Sequence, residues 1–168
     1  MIELKKISIL DDNMQECVEL EVFPEQYDFV MPNAFSLAEA YDVNKAHDEN
    51  GVGNIAVPYA IYENSKMVGF IMYGYLMPDD SEEPLSKDEH VYLIWRILID
   101  KNHQRKGIGG EALRQVMEEI KTKPCGEANY CYSSYVPENI GSKSTFASYG
   151  YEEDGRVLGG EVVARYKL

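Results

Sequence analysis

With 168 residues the chain is long enough for one domain with a real core and short for two, and 45% apolar with 27% charged residues is a composition typical of folded, water-soluble proteins. Sixteen basic against 29 acidic residues leave a formal net charge of −13, a surface that repels nucleic acid and attracts cations, although acidity alone also serves solubility. No apolar run approaches the roughly 20 residues of a membrane span, and Met1–Lys6 lacks the charged and apolar regions of a signal peptide, so the expectation is a cytoplasmic protein without a membrane partner.

Residues Ile2 to Leu10 alternate well enough for an opening strand, and Asp11-Asp12-Asn13 supplies caps for a helix over Met14 to Leu20. Pro24 and Pro32 bracket an irregular stretch. From Ser36 a second helix is predicted, with Leu37, Ala40 and Tyr41 at helical spacing, and Asn50 to Asn54 marks a turn. Two strands, Tyr59 to Tyr62 and Met67 to Gly74, flank Glu63-Asn64-Ser65-Lys66 as a hairpin. Asp79, Asp80, Glu82, Glu83, Asp88 and Glu89 share one loop, which as an exposed hairpin connection needs no further explanation.

The longest apolar run, Val91 to Ile99, reads as the central strand. Ile108, Ala112, Leu113, Val116 and Ile120 form one stripe of a helix that stops before Pro124. Tyr130 to Val136 reads as a strand, Pro137 to Tyr149 as a helix with Gly150 just beyond, and Val162 to Tyr166 as a last strand. No repeat, low-complexity tract or linker interrupts the chain, so one domain is expected over residues 1–168. Cys17, Cys125 and Cys131 are odd in number and lack a metal spacing, His47, His90 and His103 are scattered, and neither a thiol nucleophile nor a metal is expected.

The most informative segment runs from Ile97 to Leu113: an apolar strand, a basic turn, and a helix opened by Gly107, Gly109 and Gly110. Glycines let backbone amides approach a ligand, the helix N-terminus adds its dipole, and Arg105 and Lys106 add mobile cations, so the segment suits a pyrophosphate. Two other readings compete. Gly107-Ile108-Gly109-Gly110-Glu111-Ala112 also satisfies the degenerate dinucleotide pattern G-x-G-x-x-A, but that fingerprint follows a first strand and needs much parallel sheet after it, whereas only a short tail remains here. A helix that merely starts with glycines is the bland reading, and glycine is a poor helix former.

Gln104-Arg105-Lys106-Gly107-Ile108-Gly109 resembles the Gln/Arg-x-x-Gly-x-Gly/Ala signature of the GNAT superfamily of acetyl-CoA-dependent N-acetyltransferases. Val136-Pro137-Glu138-Asn139 followed by Phe146-Ala147-Ser148-Tyr149-Gly150-Tyr151 resembles the family's strand, Asn-opened helix and closing aromatic turn. Upstream, Pro24-Glu25-Gln26, Val68-Gly69-Phe70 and Trp95-Arg96 are similar to the bacterial spermine/spermidine branch. The resemblance implies an α/β (α+β) fold: a mixed, mostly antiparallel sheet of about six or seven strands flanked by about four helices, splayed between the fourth and fifth strands. It also implies acetyl-CoA as co-substrate, a small-molecule amine as partner, and allows a homodimer.

Carried over residue by residue, the resemblance gives Ile97, Leu98 and Ile99 as strand backbone for the pantetheine, with the amide close to Leu98 polarising the thioester carbonyl. Gln104, Arg105, Lys106, Gly107, Ile108, Gly109 and Gly110 would hold the pyrophosphate. Asn139 matches a cofactor-contacting position, against a simple helix-start role, and Phe146 occupies the position where many relatives carry a tyrosine that protonates the leaving thiolate. Tyr149 is the substitute acid, but a helix turns about 300° over three residues and would aim its ring elsewhere.

Acetyl transfer also needs a neutral amine, and an alkylamine with pKa about 10.4 is protonated at neutral pH. A carboxylate or water chain must take that proton. Many relatives place an acid near Trp95 and Arg96; without it, Glu25 and Glu161 are the carboxylates to test, each against an ordinary surface role. Gln26 and Trp95 are read as acceptor-shaping residues, Trp95 by cation–π contact or else as a core aromatic. Arg96 should alternate to the opposite face from Trp95 unless a bulge intervenes. The reading is an N-acetyltransferase acting by direct attack in a ternary complex, with a polyamine such as spermidine or spermine as acceptor. A protein N-terminus, an amino acid or an amino sugar is the alternative acceptor, and a catalytically weak CoA-binding module the alternative class.

Overall fold

The computed structural model of the protein describes residues 1–10, 13–82 and 84–168; Asp11 and Asp12, read as caps, and Glu83 of the acidic loop lie outside the described residues. In chain order come β1 (Ile2–Lys6), α1 (Met14–Val18), a 3-10 turn (Pro24–Gln26), α2 (Asn33–Asn50), β2 (Ile55–Glu63), β3 (Lys66–Leu76) and β4 (Val91–Ile99). Then follow α3 (Ile108–Lys121), β5 (Tyr130–Tyr135), α4 (Ile140–Tyr149), β6 (Glu152–Leu158) and β7 (Glu161–Lys167). One seven-stranded sheet carries them in the order β1-β2-β3-β4-β5-β7-β6. Every neighbouring pair is antiparallel except β4 with β5.

Local chemistry sets the turns. Asn64 and Ser65 take φ of 49° and 70° between β2 and β3, the two left-handed residues of a primed hairpin turn. Asn13 stands at the start of α1, but its side chain accepts from Ser8 N at 2.9 Å and donates to Lys6 O at 3.0 Å, tying off β1 four residues earlier than the alternation suggested. α2 begins at Asn33 rather than Ser36, because Pro32 O accepts the first helical amides and the buried Asn33 side chain donates to Cys17 O at 2.8 Å. β6, a strand not anticipated from the sequence, is a largely exposed edge that pairs with β7 across Gly159 and Gly160.

Helices α3 and α4 cover one face of the sheet; α1 and α2 cover the other. Ile108, Ala112, Leu113, Val116, Met117 and Ile120 of α3 are at most 3% exposed, and each large aliphatic side chain so buried contributes about 1.5–3 kcal/mol. Further along α3, Glu119 accepts from Tyr73 Oη at 2.8 Å and Tyr59 Oη at 3.0 Å, pinning the helix to β2 and β3. Burial first, and the carboxylate second, push both phenols above their usual range. This anchoring fixes where the N-terminus of α3 lies against β4.

Candidate functional site

β4 and β5 pair only at Tyr92 with Cys131 and Leu93 with Tyr132. Ser133 Oγ still reaches Ile94 O at 3.5 Å, and there the strands part, because β5 continues along β7 through Ser133, Ser134 and Tyr135. Beyond Leu93 the β5 side of β4 has no strand partner, so backbone groups that normally form a ladder face open space. The fork opens a cleft of about 1100 Å³. Its walls are β4, Ser133 to Tyr135 of β5, the turn and first residues of α3, α4 from its start to Phe146, the segment Val22–Met31, and Glu161.

A β-bulge lies at its centre. Tyr73 pairs with Ile94 but Met72 pairs with Arg96, leaving Trp95 as the extra residue of β4. The extra residue cancels the alternation, so Trp95 and Arg96 both lie on the α1/α2 face, and both line the cleft. Arg96 Nη2 donates to Glu39 Oε2 of α2 at 3.1 Å and Nη1 to Trp95 O at 2.9 Å. Glu39 was not singled out by sequence reasoning, since one acid among the four of α2 carries no local signal.

At one end the turn from Asp100 to Gly107 delivers the chain into α3. Burial raises the Asp100 carboxyl, but the amides of Asn102 and Glu21 outweigh it and hold the group below the usual carboxylate range. Arg105 takes φ of 60° and Gly107, preceding the helix, 79°. A Cβ on Gly107 would meet nothing within 4 Å, whereas one on Gly109 would touch Ile99 at 3.6 Å and Ile97 at 3.9 Å. Gly107, Gly109 and Gly110 all line the cleft, so the helix N-terminus opens onto it, the geometry of an anion site.

Gln104 serves as a brace. Its Nε2 donates to Ile99 O at 3.0 Å and Gln26 Oε1 at 2.8 Å, and Gln26 Nε2 donates back to Gln104 Oε1 at 3.1 Å. Turn and acceptor-side segment are thus bolted together. Glu25 is exposed on the same 3-10 turn and lines the cleft.

On the opposite wall, Asn139 caps α4, its Oδ1 accepting from Ser142 N at 3.1 Å, and leaves its amide NH₂ as the group that can donate into the cleft. Phe146 is 4% exposed and lies parallel to the Tyr135 ring at 6.1 Å. Glu161, at the start of β7, accepts a hydrogen bond from Ser134 Oγ. Ser134 is a residue that sequence reasoning missed, because nothing in the strand Tyr130–Tyr135 marks it apart from Ser133 beside it.

Residues 14–151 match the profile of the Acetyltransferase (GNAT) family. The chain belongs to that family. A spermine/spermidine N(1)-acetyltransferase of Bacillus subtilis (strain 168) is 27% identical over 153 residues, covering 89% of this chain and 88% of that one. A probable spermine N(1)-acetyltransferase of Bacillus subtilis subsp. natto (strain BEST195) is 28% identical with the same coverage. Among solved structures, the PaiA N-acetyltransferase of Thermoplasma acidophilum in complex with coenzyme A aligns with a TM-score of 0.62 at 16% identity, over 100% of this chain and 99% of that one. An aminoglycoside acetyltransferase in complex with coenzyme A aligns with a TM-score of 0.67 at 15% identity, over 99% and 95%. At these identities the solved structures share the fold.

Within this GNAT chain, two residues expected at the site stand outside the cleft. Lys106 Nζ turns back to Asn102 O at 3.1 Å. Tyr149 packs between Tyr151 and Tyr166, with Lys121 Nζ 5.6 Å from its ring centre, because three residues of helix rotate it away from Phe146 toward α3. All the other expected site residues line the cleft. Burial pushes the Cys17 and Cys131 thiols up to about 12 and raises Cys125, and none of the three lines the cleft. Among the described residues no three His, Cys, Asp or Glu side chains form a metal-ligand group, and no helix is long and apolar enough to cross a membrane.

Proposed function

We propose that the chain, as one catalytic domain acting in the cytoplasm, moves the acetyl group of acetyl-CoA to a primary amine of a small molecule, and that the acceptor is a polyamine. The observation that carries this reading is the forked cleft itself, with an anion cradle at one end and an acceptor wall at the other. The residues suit acetyl-CoA. The backbone of Ile97 and Ile99, which on either side of Leu98 faces away from β3, would pair with the pantetheine amides, while Arg105 and the amides of Gly107 to Gly110 would hold the pyrophosphate. Gln104 would keep that loop in place, and Asn139 and Phe146 would close the far side.

The chemistry then follows from position. Holding thioester and amine together in one cleft removes most of the entropic barrier. A backbone N–H near Leu98 would stabilise charge on the carbonyl oxygen as the amine attacks. With the thiols buried elsewhere, direct attack in a ternary complex is the route the site supports. The polyamine reading rests on the likeness to the two Bacillus spermine and spermine/spermidine acetyltransferases and on the carboxylates of Glu25, Asp28 and Glu161 in the cleft wall, which would hold ammonium groups beside the Trp95 ring.

The test is release of free CoA thiol from acetyl-CoA across spermine, spermidine, putrescine, amino acids, amino sugars and short peptides. Turnover confined to polyamines supports the reading; turnover with another class corrects the acceptor. Phe146 favours one other reading, a CoA-binding module of weak activity, because no phenol stands where many relatives carry one. Binding of CoA without turnover on any amine would establish it. Phe146→Tyr separates the two further: kcat is expected to rise about tenfold if protonation of the thiolate limits the rate. An unchanged kcat would mean that water already protonates the thiolate, whose thiol pKa of about 8.5 makes it a tolerable leaving group.

A further inference from the structure

We propose that Ser134 is a catalytic residue: its hydroxyl receives the acceptor amine's proton, and Glu161 draws that proton onward. The proposal rests on the acetyl-transfer reading and adds to it a residue and a direction of proton flow. Along β5 the side chains alternate. Ser133 and Tyr135 turn toward the α3/α4 side, Ser133 to Ile94 O and Tyr135 to Phe146, while Tyr132 packs with Leu93 and Val163 on the opposite face. Ser134 therefore shares the face of Trp95 and Arg96. It is also the first β5 residue on that face beyond the last paired rung, at the mouth of the fork and in the cleft wall.

Glu161 reaches it because of register. Ser134 pairs with Val163 on β7, and Glu161 lies two residues before Val163, on the same face. A hydroxyl has one hydrogen, and that of Ser134 is committed to Glu161 Oε2. What Ser134 Oγ can turn toward the cleft is lone pairs, which match an amine N–H and not a carbonyl oxygen.

The other charged groups in the cleft suit the task less well. Glu39 is neutralised by Arg96, and Glu25, Asp28 and Glu138 are exposed on loops. Lys101, His103 and Arg105 belong to the cradle side. Starting from the bound ammonium, one N–H proton passes to Ser134 Oγ, and the neutral nitrogen then bonds to the acetyl carbon, its second N–H proton going to the departing CoA thiolate. The Ser134 proton passes to Glu161 Oε2, and the C–S bond breaks with its electron pair on the CoA sulfur. Glu161 then releases the proton to solvent.

The experiment compares full-length wild type with Ser134→Ala, Glu161→Gln, the double variant and Ser134→Thr, reading thiol release with the amine preferred by wild type from about pH 7 to about pH 10, with CoA affinity measured by calorimetry. Each Ala or Gln variant is expected to lose about 100-fold in kcat near neutral pH with CoA affinity unchanged. The double variant should be no slower than the slower single, as for groups that act as a unit. The deficit should shrink as pH approaches the amine's own pKa of about 10.4, where solution deprotonates the amine instead. Ser134→Thr should keep most of the activity. A Ser134→Ala enzyme with wild-type rates, a deficit constant with pH, or single losses that multiply in the double would overturn the relay while leaving acetyl transfer in place. A wild type that binds CoA yet releases no thiol with any amine would instead remove the acetyl-transfer reading, and the relay with it.

Discussion

Gly109→Glu is expected to raise the dissociation constant for coenzyme A at least about 100-fold, a loss of about 2.7 kcal/mol, while melting within a few degrees of wild type. Gly109 is the second residue of α3, and its φ lies outside the left-handed region. An added Cβ would make ordinary contacts with Ile99 at 3.6 Å and Ile97 at 3.9 Å, so the backbone has no reason to move. Gly109, Ile97 and Ile99 all line the cleft, so the new side chain stands in its wall. Its carboxylate would then occupy the anion site. The helix dipole that favours a pyrophosphate also favours a glutamate in the first turn, so the substitution costs the fold nothing while repelling the ligand. Calorimetric titration and a thermal melt check both halves. Unchanged CoA affinity would show that the cradle is not the pyrophosphate site.

What could be read from the chain divides by sequence distance. α3 was legible because Ile108, Ala112, Leu113, Val116 and Ile120 repeat at helical spacing, and β4 because nine residues run almost uninterrupted by polarity. The β2–β3 hairpin announced itself through Asn64 and Ser65, which tolerate the left-handed turn. β6 did not, because Glu152–Leu158 is an edge strand with mostly exposed side chains, and only pairing with β7 makes it a strand. Gly159-Gly160 was the cue available. The early start of α2 depends on Asn33 meeting Cys17 O, a contact that no periodicity records.

The same division holds at the site. The cradle is one contiguous stretch, so its glycines and cations could be read in place. The acceptor side is assembled from afar: Gln26 meets Gln104 across 78 residues, Arg96 meets Glu39 across 57, and Ser134 meets Glu161 across 27. Strict alternation put Trp95 and Arg96 on opposite faces, and the bulge reversed that. A bulge is a two-strand property, set by how Tyr73 and Met72 of β3 count residues on β4. Lys106 and Tyr149 fell outside the cleft for a third reason. Motif spacing places a Cα, whereas rotamer and helix phase decide where the side chain goes.

Gly69→Ala should destabilise the fold by about 3 kcal/mol, lowering the melting temperature by about 6–12 °C, and should weaken coenzyme A binding by about tenfold as well. Gly69 pairs directly with Ile99, and its neighbour Phe70 pairs with Leu98. A Cβ there would lie 2.6 Å from Leu98 O, 2.8 Å from Ile99 Cδ1 and 3.1 Å from Ile61 Cδ1. The first contact is with backbone, so a rotamer change cannot relieve it. β3 is buried between β2 and β4, and the strand with room to give is β4, whose other side is unpaired beyond Leu93. Relief therefore pushes Ile97–Ile99 toward the cleft, the same backbone proposed to pair with the pantetheine. Gly74→Ala is the matched control: its nearest contact is the Trp95 ring at 3.2 Å, a side chain that can tilt, and a smaller loss is expected. Thermal melts and CoA titrations of the two variants check this. Equal melting temperatures would mean that the sheet spreads elsewhere, whereas a lower melting temperature with unchanged CoA affinity would detach the cofactor from this strand.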